Sequence, residues 1–271
     1  MHPRACVSAI CTFRLDLAAD LEFWNRHGID TVGVSVAKLE AFGWDEGTQR
    51  LAAAVDAGLK VGNLIGVGSF TLTQPAKWEQ QRARLVRALE TGHRLGAGCV
   101  VFTTGPAGAL PWDEAAGALE EALAPVLVEA NALGLPFAVE HTNSLRVDVG
   151  FVHSLRDVVD LARRLGTGVC MEINACWAER DVAATIAAGV DVIELVQVSD
   201  FAIGTLSTPN RLVPGDGDIP IERILRTVLD AGYGGRFDLE LIGPKIDDEG
   251  YDSAVPRAVE VLGGLLTDLG A

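Results

Sequence analysis

The sequence predicts an α/β fold: one parallel, eight-stranded (β/α)8 TIM barrel, spanning residues 1–271 as a single domain. Three observations predict it. Short β-rich apolar runs alternate with helical stretches along the whole chain. No linker, low-complexity block or composition break divides them. Polar residues collect at the C-terminal ends of the strands, most clearly between Leu195 and Glu240. There the apolar run Ile193 to Val198 ends in Ser199-Asp200, and a loop continues through Arg211 to Pro220. An amphipathic helix follows, and then Phe237-Asp238-Leu239-Glu240-Leu241. A parallel barrel carries its chemistry on that rim. An open doubly wound sheet calls for a glycine-rich turn after the first strand, and Thr12-Phe13-Arg14-Leu15 is not one.

The elements follow in order. Cys6 to Cys11 reads as the first strand, with a helix from Leu17 to His27 stopped by Gly28. Thr31 to Val36 is the second strand, and its helix runs from Glu46 to Ala57. Lys60 to Val67 is the third, followed by a helix from Ala76 to Leu95 with Leu85, Ala88 and Leu89 on one stripe. Cys99 to Thr103 is the fourth, and Trp112 to Leu133 its long helix. Gly134-Leu135-Pro136 turns the chain into the fifth strand, Phe137 to Glu140. Ser154 and Asp157 cap a helix reaching Leu165. Gly168 to Ile173 and Glu179 to Ala188 form the sixth unit, and Asp191 to Val198 with Ile221 to Ala231 the seventh. Arg236 to Leu241 with Ser253 to Leu269 is the eighth.

Hydrophobic residues make up 49% of the chain and charged residues 22%, enough apolar material for a core. The net charge of −15 argues against nucleic acid or an anionic membrane as a partner, since a phosphate surface needs a basic face. A small-molecule substrate remains. The five cysteines are odd in number and show no CxxC spacing, so buried free thiols in a reducing cytoplasm are expected. The N-terminus carries no signal-like apolar region, and no run approaches the length of a membrane span.

Four strand ends carry the chemistry. Strand five ends in Glu140-His141, strand six in Glu172-Ile173-Asn174, strand seven carries Gln197, and strand eight ends in Glu240. Three carboxylates converging on one mouth repel each other, and a divalent cation is the simplest compensation. Three carboxylates and one amide oxygen form a hard donor set suited to one Mn2+ or Mg2+. Glu140, Glu172, Gln197 and Glu240 are therefore the candidate metal ligands. Glu194 and Asp238 are read as facing the helices or solvent.

Residues 135 to 245 resemble the xylose-isomerase-like barrel superfamily of sugar isomerases and epimerases. The resemblance rests on Glu140 with Asn143, on Val196-Gln197-Val198-Ser199-Asp200, on Pro214-Gly215-Asp216-Gly217-Asp218-Ile219, and on Gly232-Tyr233-Gly234-Gly235 ahead of Phe237 to Glu240. It implies a metal-dependent isomerase or epimerase acting on a keto-sugar or related hydroxy-ketone. Glu140 and Glu240 would be both ligands and the acid/base pair, working through an enediolate. It also implies substrate contacts from Arg211, three residues before Pro214, and from Asn143. His141 and Trp177, just past strands five and six, are further candidates for the substrate pocket.

The sequence departs from that pattern at three places. Glu172 replaces the usual Asp, and Gln197 the usual His, as in the hydroxypyruvate isomerases. Ala175 stands where ketose epimerases place a substrate-binding His. These departures point to an alternative, a lyase (a dehydratase or a C-glycoside-cleaving enzyme) using the same enolate chemistry beside a partner oxidoreductase. A non-catalytic barrel subunit is a third reading, and a homo-oligomer is compatible with all of them. Five scattered histidines do not supply the histidine-rich zinc site of the superfamily's DNA-repair endonucleases.

Overall fold

A computed structural model describes all 271 residues. Eight parallel strands close in sequential order into one barrel, β8 pairing with β1 through Ala5 with Phe237, Cys6 with Asp238 and Val7 with Leu239. The first half comprises β1 (Ala5–Ser8), α1 (Leu17–His27), β2 (Thr31–Ser35), α2 (Val36–Phe42), α3 (Trp44–Asp56), β3 (Lys60–Ile65), α4 (Trp78–Arg94), β4 (Cys99–Thr103) and α5 (Trp112–Leu133). The second half comprises β5 (Phe137–Glu140), α6 (Leu155–Leu165), β6 (Gly168–Glu172), α7 (Ile173–Cys176), α8 (Val182–Gly189), β7 (Ile193–Val198), α9 (Ile221–Asp230), β8 (Arg236–Leu239), α10 (Pro244–Glu249) and α11 (Tyr251–Asp268).

All eight expected strands form, and local chemistry explains most of the element ends. Ser154 caps α6 by accepting the Asp157 N–H at 3.1 Å. Gly28 ends α1 in the left-handed region at φ 64°, which a side chain resists. The short helices α7 and α10 were not expected, and two further details differ. The stretch after β1 is not strand but a 3-10 turn over Ala9–Thr12, capped by the Ser8 hydroxyl. An additional helix, α2, starts directly at the end of β2, with Ser35 as its cap.

Strand alternation divides the apolar residues into two groups. Outward residues such as Val34, Val100, Val139 and Val196 join the helices in a core of 69 buried residues. Inward residues Ile65, Cys99, Val101, Ala138, Cys170 and Leu195 form a separate six-residue core inside the barrel. That inner core is small because Asn63, Gln197 and Asp238, each fully buried, share the interior. Gly33 makes room for one of them: a Cβ there would lie 2.8 Å from Asn63 Oδ1. All five cysteines are buried free thiols. No helix is long and apolar enough to cross a membrane.

Candidate active site

Glu140 closes β5, Glu172 closes β6, Gln197 lies one residue from the end of β7, and Glu240 follows β8 directly. Four consecutive strands thus deliver them to the C-terminal mouth. Gln197 and Glu172 are 0% and 1% exposed, and Glu240 and Glu140 7% and 9%. Three acidic side chains at that depth need a counter-charge. Arg211 supplies it. Its Nη2 stands 2.5 Å from Glu172 Oε2 and its Nη1 2.8 Å from Glu240 Oε1. Both are ion pairs, and Arg211 Nη1 also donates to the Glu240 backbone carbonyl at 3.4 Å.

The loop after β7 places that arginine. Asp200 pairs with Leu212 in an isolated antiparallel bridge, with backbone hydrogen bonds of 2.9 and 2.8 Å. Its carboxylate accepts the N–H groups of Phe201, Gly215, Gly217 and Ile219 at 2.8 to 3.0 Å. The Arg211 N–H donates to the Ile242 carbonyl just past β8, at 3.0 Å. The Ser199-Asp200 pair and the Pro214–Ile219 loop, both visible in the sequence, are therefore one structure hung on one carboxylate.

Burial first, then Glu240 and Glu172, raises the Glu140 carboxyl well above the usual range. Burial also raises Glu172, to about 7, against the pull of Arg211. Arg211 is held charged: its burial is outweighed by Glu172, Glu240 and Glu140. Gln197 Nε2 donates to Glu240 Oε2, while Gln197 Oε1 is buried and accepts nothing. The Glu172 N–H donates to His141 Nε2 at 3.1 Å, and Glu172 Oε1 accepts the Asn174 N–H at 3.0 Å.

No three His, Cys, Asp or Glu side chains stand close enough to form a ready-made metal cage. The donor set nonetheless fits a hard divalent cation. It offers three carboxylates and an amide, and one of its oxygens, Gln197 Oε1, is buried and accepts no hydrogen bond.

A cavity of about 410 Å³ opens above these residues. Glu140, Asn143, Glu172, Arg211 and Glu240 line it, as do Thr103, Thr142 and Asn174. Two expected pocket residues do not. His141 is fully buried beneath Glu172, because it faces the opposite side of the chain from Glu140. Trp177 packs against the hydrophobic core instead. Asp238 also differs from expectation. It is fully buried, inside the barrel below Glu240, because residues two apart on a strand share a face. Burial raises its carboxyl to about 7, and neither of its oxygens accepts a hydrogen bond. Glu194 does face outward. The apolar wall of Ile10, Ile65, Val67 and Val101 was not foreseen; Ile65 and Val101 are inward strand aliphatics, which look the same whether they line a cavity or fill a core, and Ile10 and Val67 lie past the ends of β1 and β3.

A closed parallel barrel with a carboxylate-rich mouth defines an enzyme-like (β/α)8 architecture. Residues 21–261 match the family described as xylose isomerase-like TIM barrel, and the chain belongs to that family. No curated protein sequence matches the chain. Among solved structures, protein SMc04130 from Sinorhizobium meliloti 1021 superposes with a TM-score of 0.84 at 23% identity, covering 98% of each chain. The IolI protein, crystallised with a binding zinc atom, gives 0.84 at 18% identity, covering 98% of this chain and 99% of that one. D-psicose 3-epimerase from Clostridium cellulolyticum H10, solved with D-tagatose, gives 0.77 at 17% identity, covering 97% and 99%.

Proposed function

We propose that this chain is a divalent-metal-dependent isomerase or epimerase of a keto-sugar or related hydroxy-ketone. One observation supports the reading: three carboxylates from strand ends, Glu140, Glu172 and Glu240, line one cavity, and a buried cation, Arg211, bridges two of them. The zinc in IolI and the epimerase among the structural relatives support it.

Glu140, Glu172, Gln197 and Glu240 would hold one Mn2+ or Mg2+. Such an ion supplies stabilisation of the negative charge that develops on the substrate oxygen. The protein residues do the rest. One of Glu140 and Glu240 removes the proton from the carbon beside the carbonyl, leaving an enediolate. The other returns a proton to the opposite face of that carbon, which inverts it, or to the neighbouring carbon, which isomerises the ketone. Arg211 and Asn143 bind substrate oxygens, and the buried floor keeps bulk water from the enediolate.

A lyase remains the second reading, favoured by Ala175 and by the apolar wall of Ile10, Ile65, Val67 and Val101. It begins with the same proton removal, and then the electron pair expels a leaving group from the β-carbon. Elemental analysis of purified protein tests the shared site. The expected result is one divalent ion per chain, lost together with activity in Glu240→Gln. Full retention of metal and activity in that variant would contradict the assignment.

A further inference from the structure

We infer that the groove beside Phe13 is a substrate subsite that takes an uncharged, apolar substituent of the hydroxy-ketone. The inference rests on the isomerase or lyase reading above and extends it to the part of the substrate that does not react.

The groove is built by Phe13, Pro209, Leu241, Ile242, Ile246 and Tyr251. It adjoins the central cavity: Pro209 and Ile242 line both. On the other side of Phe13, a second apolar groove shares Ile10 with the same cavity. Phe13 therefore lines two apolar grooves that adjoin the site, and it is 58% exposed. An exposed apolar surface joined to a pocket marks a place where apolar matter binds. Four of the exposed large aliphatics lie on loops that follow strands; the fifth, Val128, is on the outer helix α5. Leu145 and Val147 lie on the loop after β5, and Ile203 and Leu206 on the loop after β7.

The two charged residues lining the groove are paired with each other. Arg14 bridges to Asp247 at 2.7 Å, and Tyr251 donates to Asp247 at 2.9 Å. The arginines lining the cavity are also occupied: Arg146 grips Asp148 at 2.9 and 3.1 Å, and Arg211 sits between Glu172 and Glu240. Each arginine that lines the groove or the cavity thus already has a carboxylate partner. The groove wall is fixed by the Arg14 N–H, which donates to the Tyr251 hydroxyl at 3.3 Å.

Calorimetric titration of the Mn2+-loaded full chain with three ligands tests this. The ligands are dihydroxyacetone, dihydroxyacetone phosphate and benzyl hydroxymethyl ketone. Burial of the ring predicts that the benzyl ketone binds about tenfold or more tightly than dihydroxyacetone, and that the phosphate gains nothing. In Phe13→Ser the ratio between the benzyl ketone and dihydroxyacetone falls toward one. In Val128→Ser, at an exposed valine on the outer helix α5, the ratio is kept. Equal binding of the two ketones by the unmodified protein overturns the subsite and leaves the hydroxy-ketone reading standing. Binding of neither ketone overturns both. Tightest binding of the phosphate overturns the uncharged class. A change in oligomeric mass in Phe13→Ser with the ratio intact assigns the groove to a second copy of the chain.

Discussion

At the residue scale, the site is a problem of buried charge. Arg211 reconciles Glu172 with Glu240, and truncating it strands both carboxylates; removing one partner of such a buried set typically costs about 3–5 kcal/mol. His141 gives a pH signature. Burial, aided by His153, holds its imidazole down at about 3, so the folded protein keeps it neutral as an acceptor for the Glu172 N–H. Its pKa is depressed on folding, so its contribution is fully present above about 6.5. The unfolded chain takes up the proton first, and stability is lost as pH falls from there toward 3, by at most roughly 5 kcal/mol. Urea unfolding across that window is expected to show this acid loss. His141→Gln, which keeps an acceptor but cannot take the proton, should flatten it. An identical acid limb in both proteins would remove His141 as the cause.

At the element scale, the loop between β7 and α9 decides where Arg211 sits. Asp200 accepts four loop N–H groups, and a carboxylate acceptor is worth about 1.5–3 kcal/mol per bond when the alternative is a buried, unpaired donor. In Asp200→Ala the Gly215, Gly217 and Ile219 amides are expected to exchange with solvent much faster, while those in the middle of α9 stay protected. Equal protection in both proteins would show that the loop holds itself. The sequence displayed both halves of this device, Ser199-Asp200 and Pro214 to Ile219, but not their contact. A side chain bonding to N–H groups fifteen to nineteen residues away leaves no periodic trace. The same limit applies to α2, which begins at a strand end with no intervening turn to announce it.

At the scale of the whole molecule, eight alternating units and the absence of a phosphate turn were enough to specify a closed barrel. The position of the four candidate ligands at the strand ends was legible for the same reason: each is a polar residue at the end of an apolar run. Asp238 was misplaced because the polar interior of this barrel runs deeper than its rim, down to Asn63, Cys6 and Asp238. That interior also sets how the barrel closes. Gly33→Ala pushes a methyl group against Asn63 and is expected to cost about 1–3 kcal/mol, read as a lowered Tm. An unchanged Tm would mean that the interior yields freely.

The central claim is that the carboxylates at this mouth move a carbon-bound proton. It is tested most directly by incubating the Mn2+-loaded protein with a hydroxy-ketone in deuterated water and following deuterium at the carbon beside the carbonyl by NMR. The account predicts incorporation by the unmodified protein and a loss of about a hundredfold or more in Glu140→Gln and in Glu240→Gln. Undiminished incorporation in either variant would contradict it.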